Sequence, residues 1–369
     1  MAKEKATKKP TGTPSLAGCR AKIDSVDQEL VKLMNERAKI ALEIGKLKND
    51  HGIAAYAPAR EDEVLARVVE LSKGPLTPRC IRAVFRELIS GSRSLEKELR
   101  VAFLGPAYTY SHLAAIHRFG QSVELVPVST IAAVFEEVNR RQVDFGLVPL
   151  ENSTDGRVGD TLDMFARLPV KICGEVQLRI HHNLLGKCNR AEVEEVYSKP
   201  QALSQCRNWL AKHLPGARLI EVTSTTTAAQ LAQDKPGAAA IASLQAGVHY
   251  SLNVLAADIE DQAGNLTRFA VIGLETSLRQ GNDKCALMFE ISHQPGALAD
   301  AMMVFKRNRL NLTWIESFPI ARPAGGYLFF VELEGHESEA RVRKAIASLG
   351  RKSLRLEVLG SYARMAPVD

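Results

Sequence analysis

Apolar residues recur through positions 16–98 at the three- and four-residue spacing of amphipathic helices, in three stretches bounded by turn residues. The first runs from Leu16 to about Lys48 and carries Ile23, Val26, Leu30, Leu33, Ile40, Ile44 and Leu47, longer than most globular helices. The second opens at Pro58, a favoured first-turn residue, and shows Val64, Leu65, Val68 and Leu71 before "SKGPLTP" ends it. The third follows the Thr77-Pro78 cap with Ile81, Val84, Phe85, Leu88 and Leu95. Two short helices cannot cover a face as long as the first one's, so this block predicts an intertwined oligomer.

Near residue 99 the period changes. The short β-rich runs "VAFLG", "VELVPV", "DFGLVPL" and "VKICGEVQLRI" alternate with helical segments such as "IAAVFEEVNRR", which predicts an α/β domain with a largely parallel sheet. The pattern continues through "EEVYS", a helix around 201–213, "RLIEV" and a helix after "TSTTT", enough chain for two lobes with a cleft. Residues 284–362 read strand, helix, two strands, helix, strand, the ferredoxin-like α+β order. The expectation is a multidomain chain: a disordered basic tail at 1–15, an all-helical domain at 16–98, an α/β domain at 99–277 and an α+β domain at 284–362.

Composition changes this picture little. A chain of 369 residues that is 46% hydrophobic and 24% charged is ordinary for soluble protein, and no apolar run reaches a membrane span. The start, "MAKEKATKKPTGTP", has no apolar segment of the kind a secretory signal needs. Six scattered cysteines without a C-x-x-C pair argue against a metal site or disulfide framework and for the reducing cytoplasm. The net charge of +6 is mild, and no basic stripe is interleaved with aromatics, which argues against nucleic acid. Anionic small substrates are an equally good reason for it.

Arg37 is the one break in the apolar face of the first helix, and a charge there is costly unless paired. Lys48, eleven residues on, returns to within about 20° of the same face and lies roughly 16 Å along the axis. Two long cationic side chains leaning together can hold a small anion. Arg20 lies roughly 25 Å back, so it shares such a ligand only if it comes from another chain. Farther along, "FLGPAYTYSHLAA" and "VPLENSTDGRV" put small hydroxyl and amide residues after strands, where a helix start offers N–H groups to anions. Such residues are also ordinary caps.

The stretches "RAKIDSVDQELVKLMNERAKIALEIGKLK", "YAPARE" and "SRSLEKELRVAFLGP" resemble the all-helical chorismate mutases, and specifically the amino-terminal domain of bifunctional chorismate mutase/prephenate dehydratases. "FLGPAYTYSHLAA", "VPLENSTDGRV", "VYSKPQALSQCRNWL" and "NLTRFAVIG" resemble prephenate dehydratase, a fold of two lobes like those of periplasmic binding proteins. "QPGALAD" and "NLTWIESFP" resemble the ACT amino-acid-sensing module. The resemblance covers residues 16–361 and implies a cofactor-free, metal-free bifunctional enzyme of phenylalanine biosynthesis, a homodimer or higher oligomer. Chorismate would rearrange to prephenate, which would then lose water and carbon dioxide to give phenylpyruvate.

By that resemblance Arg20, from the partner chain, and Arg37 bind substrate carboxylates, while Lys48 and Glu96 flank the ether oxygen. Glu61 accepts from the ring hydroxyl, Arg60 lines the site and Ser92 faces in. A glutamate at 96 must be protonated to donate, which implies a mutase that slows as pH rises. Thr267 is the main dehydratase residue, Glu151, Asn152, Ser153, Ser198 and Gln205 bind or assist, and Thr109 and Ser111 donate to carboxylates. Phenylalanine would bind at Gly296, Ala297, Leu298, Asn311 and Leu312. The chain departs from the family pattern at Ala57 (aspartate in relatives), Tyr108 (glycine), Tyr110 (phenylalanine), Lys199 (histidine) and Phe318 (arginine). Arg268 is read as structural, bracing the cleft, and His181-His182 as sheet residues. Arogenate in place of prephenate, or a sensor without turnover, are the alternatives.

Overall fold

The computed structural model describes residues 15–51, 58–154, 156–319 and 326–368. The expectations for the tail and for Ala57 therefore lie outside the described residues. The helical segments are α1 (Leu16–Asp50), α2 (Pro58–Leu71) and α3 (Pro78–Glu96). The chain divides into two compact units: one holds α1 and Gly91–Lys97, the other α2, the start of α3 and everything from Glu98 onward.

In the first unit α1 is 35 residues long, about 52 Å of helix. Its apolar stripe is open: Ile23, Leu33, Ile40 and Leu47 are each 57–60% exposed. Gly45 is buried because Glu96 lies over it; a Cβ there would sit 2.6 Å from the Glu96 Cγ.

The second unit contains three sheets. The first combines β1 (Arg100–Leu104), β2 (Glu124–Val128), β3 (Phe145–Asn152), β4 (Gly156–Arg157), β5 (Lys171–Arg179) and β11 (Leu266–Gly273), in the order β2-β1-β3-β11-β5 with β4 folded back on β3. Around it run α4 (Tyr110–Phe119), α5 (Ile131–Asn139) and α6 (Gly159–Arg167), the first two capped by the hydroxyls of Thr109 and Thr130. The sheet is mixed, not largely parallel. β11 returns from the second lobe and inserts antiparallel between β3 and β5. That insertion sets Thr267 opposite Asn152 and Arg268 opposite Glu151.

The second lobe is the sheet β10-β6-β9-β7-β8, from β6 (Asn183–Gly186), β7 (Glu195–Ser198), β8 (Arg218–Glu221), β9 (Ala238–Ala242) and β10 (Asn253–Ala256). The helix expected over 201–213 is two, α7 (Pro200–Gln205) and α8 (Arg207–His213), broken at Cys206. α9 (Thr225–Asp234) and α10 (Leu244–His249) are capped by Ser224 and Ser243.

The last block is β12 (Asp283–Ile291), α11 (Ala297–Arg307), β13 (Leu312–Pro319), β14 (Tyr327–Glu334), α12 (Ala340–Gly350) and β15 (Arg355–Ala363), an antiparallel sheet in the order β13-β14-β12-β15. It is not closed off from the first lobe. Met288, Leu328, Phe330 and Tyr362 belong to the same buried cluster as Val148, Phe165 and Ile272.

Candidate active sites

In the helical unit the Arg37 guanidinium donates to the Ser92 hydroxyl at 2.9 Å, and Lys48 Nζ lies 3.8 Å from a Glu96 carboxylate oxygen. Burial lowers the Arg37 pKa from its usual value. The Glu96 side chain is 8% exposed, and its Oε1 is buried without a hydrogen-bond partner among the described residues. Arg37 is thus paired with Ser92, and Lys48 with Glu96, within this unit. Arg20 sits far along exposed α1 and does not join them. Arg60 pairs with Glu63 at 2.7 Å, and Glu61 stands in the first turn of α2.

At the centre of the second unit, Asn152 donates through Nδ2 to the Thr267 hydroxyl at 2.7 Å and to Asn265 Oδ1 at 3.1 Å. Asn265 donates in turn to Gln205 Oε1 at 2.9 Å, and His182 Nε2 lies 2.8 Å from the same oxygen. Ser153 holds the start of β11 by accepting from the backbone of Leu266. Asn265 was not singled out by the sequence, its only signal being its position two residues before Thr267, and His182 was read only as a sheet residue. His181 and His182 lie between strands β5 and β6, not within a sheet, because the chain leaves β5 at Arg179.

Thr109 and Ser111 open on a separate cavity of about 550 Å³, a size suited to a small metabolite, with Lys199, Ser129 and Thr225 on its walls. The Thr109 hydroxyl is engaged: it donates to the carbonyls of Leu104 and Pro106 and accepts from the His112 backbone. The Ser198 hydroxyl is fully buried and donates to the Ile241 carbonyl at 2.7 Å. Tyr108 occupies the left-handed region with φ of 65°, a conformation that glycine adopts without strain and a side chain does not. Here its ring stacks on His249 at 3.9 Å, and its N–H is taken by His112 Nδ1. A second cavity, about 440 Å³, is lined by Gln205, Asn265 and Glu260.

Arg268 is structural, as read from the sequence, and its partners reach beyond the first sheet. On the face of β11 opposite Thr267 it donates to Glu151 (3.0 Å), Glu175 (3.0 Å) and Glu332 (2.7 Å), and so ties the first sheet to the last block. Lys284 bonds Glu175 at 3.0 Å and Tyr362 donates to Glu332 at 2.5 Å. Burial opposes the charge on Glu175, but Lys284 and Arg268 outweigh it and keep its pKa low.

In the last block Ala297, Leu298, Ser317 and Tyr327 line a cavity of about 320 Å³, and Gly296 takes the left-handed conformation that starts α11. Asn311 and Leu312 are not among its walls. Phe318 lies 4.4 Å from the Arg157 guanidinium, which also donates to Glu316 and to the Ser317 carbonyl.

Residues 101–277 match the family model for prephenate dehydratase, and residues 19–97 match chorismate mutase type II. A bifunctional chorismate mutase/prephenate dehydratase of Aquifex aeolicus is 43% identical over 350 residues, covering 94% of this chain and 97% of the relative. One from Escherichia coli is 32% identical over 390 residues, covering 97% and 99%. The crystal structure of prephenate dehydratase from Arthrobacter aurescens in complex with L-Phe superposes with a TM-score of 0.67 at 32% identity, covering 72% of this chain and 90% of that one.

Proposed function

The chain belongs to the bifunctional chorismate mutase/prephenate dehydratases, and from that membership we propose how its residues divide the two reactions. Both activities reside in one chain: chorismate is rearranged to prephenate, and prephenate is dehydrated and decarboxylated to phenylpyruvate.

For the first step, Arg37 binds a substrate carboxylate with Ser92 holding its guanidinium, and Lys48 and Glu96 meet the ether oxygen. The C–O bond breaks as the new C–C bond forms, so the protein needs no nucleophile; it folds the substrate and stabilises the charge growing on oxygen. Arg20 enters from a second copy of the chain, whose α1 covers the open apolar stripe. Arg60 and Glu61 are carried over as the family's residues at the ring hydroxyl.

For the second step, the observation that carries the reading is the bond between Asn152 and Thr267. Asn152 presents its N–H₂ to the threonine oxygen, which leaves the hydroxyl proton of Thr267 to donate to the departing oxygen of prephenate. The carboxylate leaves as carbon dioxide, its bonding electrons move into the ring, and the hydroxyl departs. Ser111 and Lys199 meet a carboxylate, and Thr109 holds the helix start beside them. Ser153, Ser198 and Glu151 act by fixing backbone and Arg268, and Gln205 orients Asn265.

The last block is an ACT domain, and its cavity at Ala297 and Leu298 takes phenylalanine to reduce dehydratase activity; that the similar Arthrobacter aurescens prephenate dehydratase was solved in complex with L-Phe supports this reading. Six unpaired cysteines support a cytoplasmic location. Chorismate loss and phenylpyruvate formation, followed separately, test the assignment. Thr267→Ala is expected to consume chorismate normally, accumulate prephenate and lose dehydratase turnover by roughly 10²-fold or more. Undiminished phenylpyruvate formation would refute the role of Thr267. Added phenylalanine should slow phenylpyruvate formation and leave chorismate loss unchanged.

A further inference from the structure

The cavity that Ser111 lines has walls from both lobes and is one-sided in charge. Lys199 is the one charged side chain on those walls; no aspartate or glutamate is among them. Lys199 is exposed just past the end of β7 and forms no ion pair among the described residues. Two helices begin at this cavity, α4 from the first lobe and α9 from the second. Their third amides are met by the Thr109 and Ser224 hydroxyls, whereas those of Tyr110, Ser111, Thr225 and Thr226 have no carbonyl to reach within their helix. The side chains of Ser111 and Thr225 also line the cavity. Each residue is 8% exposed, and neither hydroxyl has a hydrogen-bond partner among the described residues. Two nearly buried, unpartnered hydroxyls beside two helix starts and a lysine suit an anion with several acceptor oxygens.

Prephenate offers two such anions, the carboxylate on its ring and the 2-oxo acid of its side chain. The ring carboxylate leaves as uncharged carbon dioxide. A cation and two helix dipoles set against it would stabilise the ground state more than the transition state, and so slow the reaction. The 2-oxo acid keeps its charge throughout, so the same field binds it alike in both states and costs no rate. Its keto and carboxylate oxygens only accept, and the lysine and the helix amides only donate.

We propose that this cavity takes the 2-oxo acid side chain of prephenate and that Lys199 is the residue that excludes arogenate. In arogenate an ammonium replaces the keto oxygen, so new donors would face a lysine and amides that also only donate. No carboxylate among the described residues of the wall can take up that charge. Like charges brought together without a counter-ion cost enough to set substrate choice. This rests on the reading that Ser111 and Lys199 meet a substrate carboxylate.

The test compares kcat/KM for prephenate, followed as phenylpyruvate, with that for arogenate, followed as phenylalanine, from initial rates of the full-length enzyme. Chorismate turnover by the same preparations checks that each variant is folded. Wild type should prefer prephenate by about 10²-fold or more. Lys199→Gln should lower kcat/KM for prephenate by about 10-fold, mostly through KM, and leave or raise that for arogenate. The ratio between the two substrates therefore narrows. Lys199→Glu, which gives the wall a carboxylate for the ammonium, should narrow it further. A ratio unchanged in both Lys199 variants would overturn the proposal, as would a wild type that uses the two substrates alike. Ser111→Ala separates the proposal from its premise. If it raises KM for prephenate while the ratio stays fixed in the Lys199 variants, only the selecting role of Lys199 fails. If neither Ser111→Ala nor Lys199→Gln changes that KM, the cavity does not hold the substrate, and the premise fails with the proposal.

Discussion

Gly45 shows how much a single side chain matters in the helical site. A Cβ at that position would meet Glu96 Cγ at 2.6 Å and Cδ at 2.9 Å, inside any real carbon–carbon contact. The glutamate must shift from the place that sets it 3.8 Å from Lys48. Gly45→Ala should therefore slow chorismate turnover by on the order of 10²-fold, with phenylpyruvate formation from added prephenate unchanged. Steady-state assays of each step check this, and an unaltered mutase rate would place Glu96 outside the chemistry. Arg37 was legible in the sequence because it interrupts a regular apolar period. The contact of His182 with Gln205 was not, because it joins residues 23 apart, and no spacing along the chain encodes that.

Among the elements, the helices of the first block were legible to within two residues, since α1, α2 and α3 each have a strong period and proline or turn residues at their limits. The direction of β11 was not legible. Its apolar run looks the same parallel or antiparallel, and only the return of the chain from the second lobe decides it. The contact of α3 with α4 has a pH signature. His117 accepts from Arg86 at 3.1 Å, and burial, with Arg86 and Arg118 beside it, holds its pKa down at about 3. An unfolded histidine titrates near 6.5. With the folded value depressed, the stability His117 contributes is whole above about pH 6.5 and is lost as pH falls toward 3. Thermal unfolding at pH 7.5 and 4.5 should show wild type losing more stability than His117→Gln, by at most about 1.4 kcal/mol per pH unit. Equal losses would show that this histidine is not the sensitive group.

For the whole molecule, the exposed stripe of α1 has the largest consequence. Ile23, Val26, Leu30 and Leu33 are 48–59% exposed on one helix, an apolar face that water would not leave uncovered. If a second copy covers it and supplies Arg20, mutase activity per chain should fall on dilution below the dimer dissociation constant while dehydratase activity holds longer. Parallel dilution series of the two assays read this directly, and a mutase rate strictly proportional to enzyme would refute it.

The strand β14 joins two kinds of surface. Its odd-numbered residues Tyr327 and Phe329 line the small cavity of the last block, while the even-numbered Leu328, Phe330 and Glu332 belong to the core and ion cluster shared with the first sheet. An evolving chain is therefore not free to drift equally along this strand. Changes in ligand preference can accumulate at Tyr327 and, within limits of packing, Phe329, while Val331 and Leu333 answer to the block's own core and the even positions to the fold of the catalytic lobe. A module grafted here from a relative would have to keep one half of its strand native to the host.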